Sequence, residues 1–312
     1  KLYDEEVLIG SISNVTGMPL QYEEPSNTAD MQADASHIAA GIAHRYVHGS
    51  RFSDIPTEQF SPQMVCIRPG RFLLGSPEHP AAPATRQYQL RRPLAVGVYP
   101  ITVAQFRAMA PIAEVFRVGS AFKIFFADAL PMTNIDWWQA NQFCQALTAH
   151  VNAARQKAGL KKLAIADQYR LPTDDEWETF ARAGGTTAYS FAPLQAPPCG
   201  YTDSPDPNWA YYDWRKSLGG SMIKPHHPTI PGEVGSIEPN FWGVCGCHGN
   251  VWEWTALRHD GQDLASLRGG YFKSPPGEIL SSTVRLQTIN YSQLGMIGFR
   301  LVRNLSDDEW GE

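Results

Sequence analysis

At 312 residues the chain has room for one large domain or two modest ones, with enough length for a real core. Hydrophobic residues at 43% and charged residues at 18% are ordinary for a globular protein, while Gly 26 and Pro 24 call for much loop. A net charge of −5 and the lack of any Lys/Arg run exclude a nucleic-acid-binding surface.

The most apolar region, 113–132, is broken by Glu114, Arg117, Lys123 and Asp128, so no membrane insertion is expected. Five cysteines (Cys66, Cys144, Cys199, Cys245 and Cys247) are too few and too scattered for a disulfide framework. Their odd number favours a reducing compartment such as the cytoplasm. The start at Lys1 leaves open a tag, a trimmed start or a removed signal peptide, and with the last a secreted or surface-displayed protein.

Taken in order, residues 1–62 form an N-terminal extension with one amphipathic helix over about 29–48. There Met31, Ala35, Ile38, Ala39, Ile42, Ala43 and Tyr46 recur at helical spacing, and Gly49 supplies a stop. His37, His44 and His48 share the opposite face. They form either a polar face or a metal-ligand geometry that no Cys or carboxylate completes. Three helices then open on capping boxes, Thr102 with Gln105, Asp136 with Gln139, and Thr173 with Glu176. The second carries the stripe Ala140, Phe143, Cys144, Leu147 and Val151, which makes Cys144 a packing residue. The third packs Trp177, Phe180 and Ala181 inward and ends at Gly184-Gly185. Residues 184–240 read as long irregular chain with isolated aromatics, a pattern that is functional or held by ligand, metal or aromatic packing.

The segment from Gly243 to Arg300 reads G-V-C-G-C-H-G-N-V-W-E-W, then R-G-G at 268–270 and G-F-R-L-V at 298–302. In an extended segment Trp252 and Trp254 face one way and Glu253 the other. A carboxylate held between two large rings needs a basic partner, several N–H donors or a cation.

These motifs closely resemble the formylglycine-generating-enzyme (sulfatase-modifying factor) family. So do Met64-Val65-Cys66-Ile67-Arg68-Pro69-Gly70, Val98-Tyr99-Pro100-Ile101-Thr102 with Gln105-Phe106, and Tyr169-Arg170-Leu171-Pro172-Thr173 with Glu176-Trp177-Glu178, in the same order. The resemblance covers residues 63–305, leaving 306–312 as a C-terminal tail. It implies an α/β (α+β) domain with much irregular structure, the formylglycine-generating-enzyme variant of the C-type lectin fold. The strands should be short, with Leu94–Tyr99 and Phe299–Val302 foremost.

Family enzymes hold copper on two cysteines between R-G-G and an A-A-R segment. Counting back from Arg285 puts these on Phe272 and Gly277, and counting forward from Arg268 puts them on Ser274 and Ile279. Neither register offers a thiolate and no cysteine follows Cys247, so no copper is expected. Relatives bind Ca²⁺ at the G-N-x-W-E-W box. Carried over, its ligands are the carbonyls of Gly246, Gly249 and Val251 and the carboxylate of Glu253, and the alternative is that Glu253 pairs with Arg268 or Arg300. Asn208-Trp209 marks a second candidate calcium site.

The branch most resembled is the variable protein of diversity-generating retroelements, in which the stretch between R-G-G and G-F-R sets ligand specificity. This implies a non-catalytic protein that binds a protein or other macromolecule through a variable surface at 271–293. The surface residues would be Tyr271, Phe272, Ser274, Leu286, Thr288, Ile289, Asn290 and Tyr291, on a fixed frame of Gly269, Gly270, Arg285, Gly298 and Phe299. Two alternatives stand beside it. One is a metal-dependent oxidase or oxygenase with a relocated site, for which Cys245, Cys247 and His248 are the candidates. The other is a subunit that uses 1–62 as its interface.

Overall fold

The computed structural model of the protein describes residues 46–76, 82–109, 127–186, 189–190, 231–236, 239–256, 264–274, 285–290 and 292–311. Its centre is β2, Met64–Ile67, whose four residues are all buried. Met64 and Cys66 enter one apolar cluster and Val65 and Ile67 enter another, so the strand is covered on both faces and reads as a continuous apolar run. It pairs antiparallel with β5, Leu94–Gly97. The sheet is completed by β1, Arg51–Phe52, beside β2 and by β10, Val302–Asn304, beside β5.

A hairpin of β3, Gly70–Leu74, and β4, Arg86–Leu90, lies apart from it. The second four-stranded sheet has the order β8-β7-β6-β9. Its strands are β6 (Trp252–Trp254), β7 (Leu264–Arg268), β8 (Arg285–Ile289) and β9 (Ile297–Phe299), and β9 runs parallel to β6.

Three helices pack on these sheets, α1 (Val103–Met109), α2 (Trp137–Lys157) and α3 (Asp174–Arg182). Each begins at the expected capping box, with both reciprocal bonds formed. The predicted stripe of α2 is buried in the first cluster beside Phe106 and Phe299, and Trp177, Phe180 and Ala181 of α3 fill the second. Helix α3 ends one residue earlier than expected, with Ala183 in the left-handed region at φ 49°. Most of the irregular segment expected at 184–240 lies outside the described residues.

Three boundaries differ from expectation. Of the expected 1–62 extension, the described residues 46–62 include β1, which pairs with β2 of the main sheet. Residues 29–45 of the expected helix, with His37 and His44, lie outside the described residues. Tyr46 instead bridges Trp310, and the His48 Nδ1 accepts from the Arg68 N–H, with the ring edge-on to Trp242. Burial, helped by Arg68, pushes the His48 pKa down to about 4. The expected strand 299–302 is two strands in two sheets, so the chain must turn at Arg300 and Leu301 to pass between them.

The third boundary is the C-terminal tail, which is interior. Arg303 is fully buried and forks onto Asp54 at 2.8 and 2.9 Å and onto Glu309 at 3.1 Å, while the Tyr169 hydroxyl donates to Asp54. Glu309 also meets Arg155 at 3.1 Å. Burial alone would raise the Glu309 pKa, but Arg303 and its other partners hold it at about 2. Stability from this carboxylate is therefore full above its ordinary pKa of about 4.5 and is lost as pH falls toward 2. Glu309→Gln should lower unfolding free energy by about 3 kcal/mol at neutral pH, since it leaves buried charge uncompensated. Urea melts at several pH values should show the parent and variant converging as pH drops through that window.

Candidate functional site

The loop that leads into β6 is shaped by its asparagines. Asn240 Oδ1 accepts from the N–H groups of Trp242 and Val244 at 3.0 and 3.1 Å, and its Nδ2 donates to the Phe180 carbonyl at 2.8 Å. Asn250, at φ 62°, exchanges two side-chain bonds with the backbone of Gly232. Gly269, at φ 93°, lies so close that a Cβ there would sit 3.0 Å from the Cys247 carbonyl. The R-G-G turn and the loop are thus pressed together, and the Gly249 N–H donates to the Gly269 carbonyl at 2.7 Å.

Trp252 and Trp254 face the first cluster as expected, and Glu253 points the other way. Its carboxylate is not left for a cation. Arg300 Nη2 reaches Oε1 at 2.7 Å, Arg300 Nε reaches Oε2 at 3.0 Å, and Trp177 Nε1 reaches Oε2 at 2.8 Å. Of the two outcomes set out for Glu253, the pairing present in the structure is the one with Arg300. Burial would lower the Arg300 pKa, yet the charge of Glu253 raises it above the ordinary arginine value. Gly246, Gly249 and Val251 contribute only backbone carbonyls to such a site. Among the described residues no three His, Cys, Asp or Glu side chains gather as a metal-binding group. Asn208-Trp209 lies outside the described residues.

The 271–293 segment divides into face and interior. Leu286 is 47% exposed, and Thr288 is half-buried with its hydroxyl 3.2 Å from that of Ser292. Tyr271 is half-buried against the first cluster. Three expected surface residues are interior instead. Phe272 stacks edge-on with Tyr271 and is buried, because the Asn250 carbonyl holds its N–H at 2.9 Å. Ser274 is fully buried, its Oγ accepting from the Tyr271 N–H at 2.9 Å. Asn290 is buried where its carbonyl accepts the Trp137 N–H at the start of α2. Ile289 lies in β8 opposite Leu264, and Tyr291 lies outside the described residues. Of the expected frame, Gly269, Gly270, Gly298 and Phe299 are buried, and a Cβ on Gly298 would come within 2.7 Å of the Met132 carbonyl. Arg285 lies in β8 opposite Arg268.

A match to the sulfatase-modifying factor enzyme 1-like domain spans residues 51–305. The chain belongs to that family. Within the sulfatase-modifying factor family it is 28% identical over 236 residues to the mouse (Mus musculus) protein named inactive C-alpha-formylglycine-generating enzyme 2, covering 67% of this chain and 73% of that one. The cattle (Bos taurus) protein of the same name is 27% identical over 235 residues, covering 66% and 75%. The fold is shared with PvdO from Pseudomonas aeruginosa at TM-score 0.62 and 21% identity, over 82% of this chain and 98% of that one. It is shared also with Treponema denticola variable protein 1 at TM-score 0.57 and 21% identity, over 78% and 96%. This is the formylglycine-generating-enzyme variant of the C-type lectin fold, a lectin-like scaffold of mixed helix and sheet.

For a sulfatase-modifying factor relative, the positions expected to carry copper cysteines are Phe272 or Ser274, with Gly277 and Ile279 outside the described residues. The thiols of Cys66, Cys144, Cys245 and Cys247 are interior, and Cys199 lies outside the described residues. Burial pushes Cys144 and Cys247 up to about 12, so both are protonated and poor ligands at neutral pH. His248 is buried too, with Nε2 3.2 Å from the Ser190 hydroxyl.

Two exposed residues beside the 271–293 face were not found by motif. Trp138 is 53% exposed at the start of α2 and packs edge-on against Trp137, and Leu294 is 45% exposed. At about 100° per residue Trp138 lies opposite the stripe of Ala140, Phe143, Cys144, Leu147 and Val151 whereas Trp137 lies along it; that was the available signal. Gln293 joins the two parts through Nε2 bonds to Asp136 and Gln139 at 3.2 and 3.3 Å.

Phe272→Ala should cost about 3 kcal/mol of fold stability, as for other buried aromatics, while Leu286→Ala should stay within about 0.5 kcal/mol. Chemical denaturation of both variants checks this. Iodoacetamide at mildly alkaline pH should label Cys144 and Cys247 only as fast as the chain unfolds, which mass spectrometry of the timed reaction can follow.

Proposed function

We propose that the protein is a non-catalytic binding protein that displays a ligand-binding face on its lectin-like scaffold. The observation that carries this reading is the division of the 268–300 segment. A buried interior of Arg268, Gly269, Gly270, Gly298 and Phe299 underlies an outer line of exposed Leu286, Gln293 and Leu294 with half-buried Thr288. Binding faces need a stable frame and exposed side chains that can change without cost to it. Trp138 borders this line, because the Asn134 N–H donates to the Leu294 carbonyl and Gln293 reaches α2. A half-exposed tryptophan already held by a neighbouring ring loses little entropy on contact, which suits an anchor.

The described part of the face mixes apolar Leu286 and Leu294 with neutral polar Thr288 and Gln293 and the charged Lys273, which suits a protein or other macromolecular surface rather than a polyanion. The mouse relative is named inactive, and the Treponema neighbour is titled a variable protein. Both descriptions agree with a scaffold that binds without turnover. Buried, protonated Cys144 and Cys247 and the loss of cysteine at the family's copper positions weigh the same way.

The test pairs binding with folding. For a ligand selected from a protein and glycan array, Leu286→Ala, Leu294→Ala and Trp138→Ala should each weaken binding by about 1–3 kcal/mol where the residue is an anchor. Their melting temperatures should stay near that of the parent. Variants that melt early but keep their affinity would sink this reading. Stoichiometric copper or iron in the purified protein would replace it with the oxidase alternative.

A further inference from the structure

We infer that the Arg300 guanidinium, by engaging both oxygens of Glu253 (the one acceptor it shares with the expected calcium set), organises the 243–254 loop and makes the fold of that loop independent of metal. All five N–H groups of Arg300 are used, and every acceptor is an oxygen. Nη1 donates to the carbonyls of Gly97 and Val98 at 2.8 and 2.7 Å. Nη2 donates to the Cys245 carbonyl and to Glu253 Oε1, both at 2.7 Å, and Nε donates to Glu253 Oε2 at 3.0 Å. One carboxylate and three carbonyls converging on a single positive group is the donor set a hard cation would want. Here the positive group is covalently part of the chain.

Charge opposes a second cation on Glu253. Arg300 and Glu253 neutralise each other in a site where neither side chain is more than 1% exposed. A dication bound through Glu253 would add two positive charges beside a guanidinium, with no further carboxylate from the box to offset them. Buried uncompensated charge is among the costliest arrangements a protein can hold. The family's polar residue in the preceding loop is Gly246 here, so that position supplies no side-chain oxygen either.

The loop is also tied down wherever an ion would otherwise fix it. Asn250 locks onto Gly232, Gly249 onto Gly269, and Asn240 onto Trp242, Val244 and α3. The Cys245 N–H donates to the same Val98 carbonyl that Arg300 holds.

The experiment uses the full chain. Melting temperature is measured after exhaustive chelation and again across a calcium titration, and bound calcium is measured by elemental analysis. The parent should melt at the same temperature in both conditions and carry less than one calcium per chain. Glu253→Gln and Arg300→Lys should each melt lower, by the same amount with chelator as with calcium. Lysine keeps the charge but lacks the fork, so Arg300→Lys remains informative where a smaller residue would leave the chain unfolded. A saturable calcium-dependent rise in the parent that vanishes in Glu253→Gln would overturn the inference. Recovery of Arg300→Lys by calcium would overturn it as well.

Discussion

The buried pair of Arg300 and Glu253 is the constraint on which the rest of the site depends. It lies where the chain leaves one sheet for the other, between β9 and β10. From that point one side chain reaches the end of β5, the loop before β6, and β6 itself. Taking two charges out of water is expensive, and a buried ion pair often gains little over an apolar pair of the same shape. Its value here is positional. Removing either partner strands the other charge; loss of Arg300 also releases three backbone carbonyls and loss of Glu253 the Trp177 indole, so the two sheets and the loop hold one arrangement together.

The same device recurs twice. Arg268 is paired with Glu178 of α3, and Glu178 also accepts the Gly75 N–H and faces Arg182. Arg303 is paired with Asp54 and Glu309. Each of these carboxylates comes from an element distant in sequence from β10 or β7, or from beyond the end of the sheet. Apolar clusters bring such elements together without choosing among near-equivalent registers, whereas a forked guanidinium is satisfied in only one. Three arginines therefore select the pairing that two interlocked hydrophobic clusters make compact.

Much of this was legible because it is local. The capping boxes, the α2 stripe and the alternation of Trp252, Glu253 and Trp254 depend on spacing alone, and all appear in the structure. What spacing could not decide was tertiary. Glu253 plainly needed a partner, yet register alone does not choose it: Arg268 stands directly opposite Glu253 but turns to Glu178, and Arg300, two residues past Gly298, takes the carboxylate. Ser274 and Asn290 were expected at the surface because they fall in the family's variable stretch, but both are buried and bonded to the backbone, Ser274 to Tyr271 and Asn290 to Trp137. The segment after Leu305 looked like a solvated tail. Trp310 within it was the overlooked sign, since a tryptophan in so short a polar run marks an end that packs, and here it packs partly buried against the first cluster.

The exposed line at 286–294 follows from where the core stops. In the antiparallel pairing of β7 and β8, Leu286 stands opposite Leu267 and Thr288 opposite Ala265, with paired side chains on the same face. Leu267 and Ala265 are buried in the first cluster, whereas β8 is the last strand of its sheet among the described residues. The apolar face therefore continues one strand beyond the layer that covers it, and Leu286 emerges at its edge. Register makes this surface stiff, because a one-residue slip of β8 would turn Leu286 and Thr288 to the other face of the sheet. Such a surface combines apolar area with a fixed backbone. Side chains there can change chemistry while Gly298 and Phe299, a few residues on, stay locked against Met132 and α2.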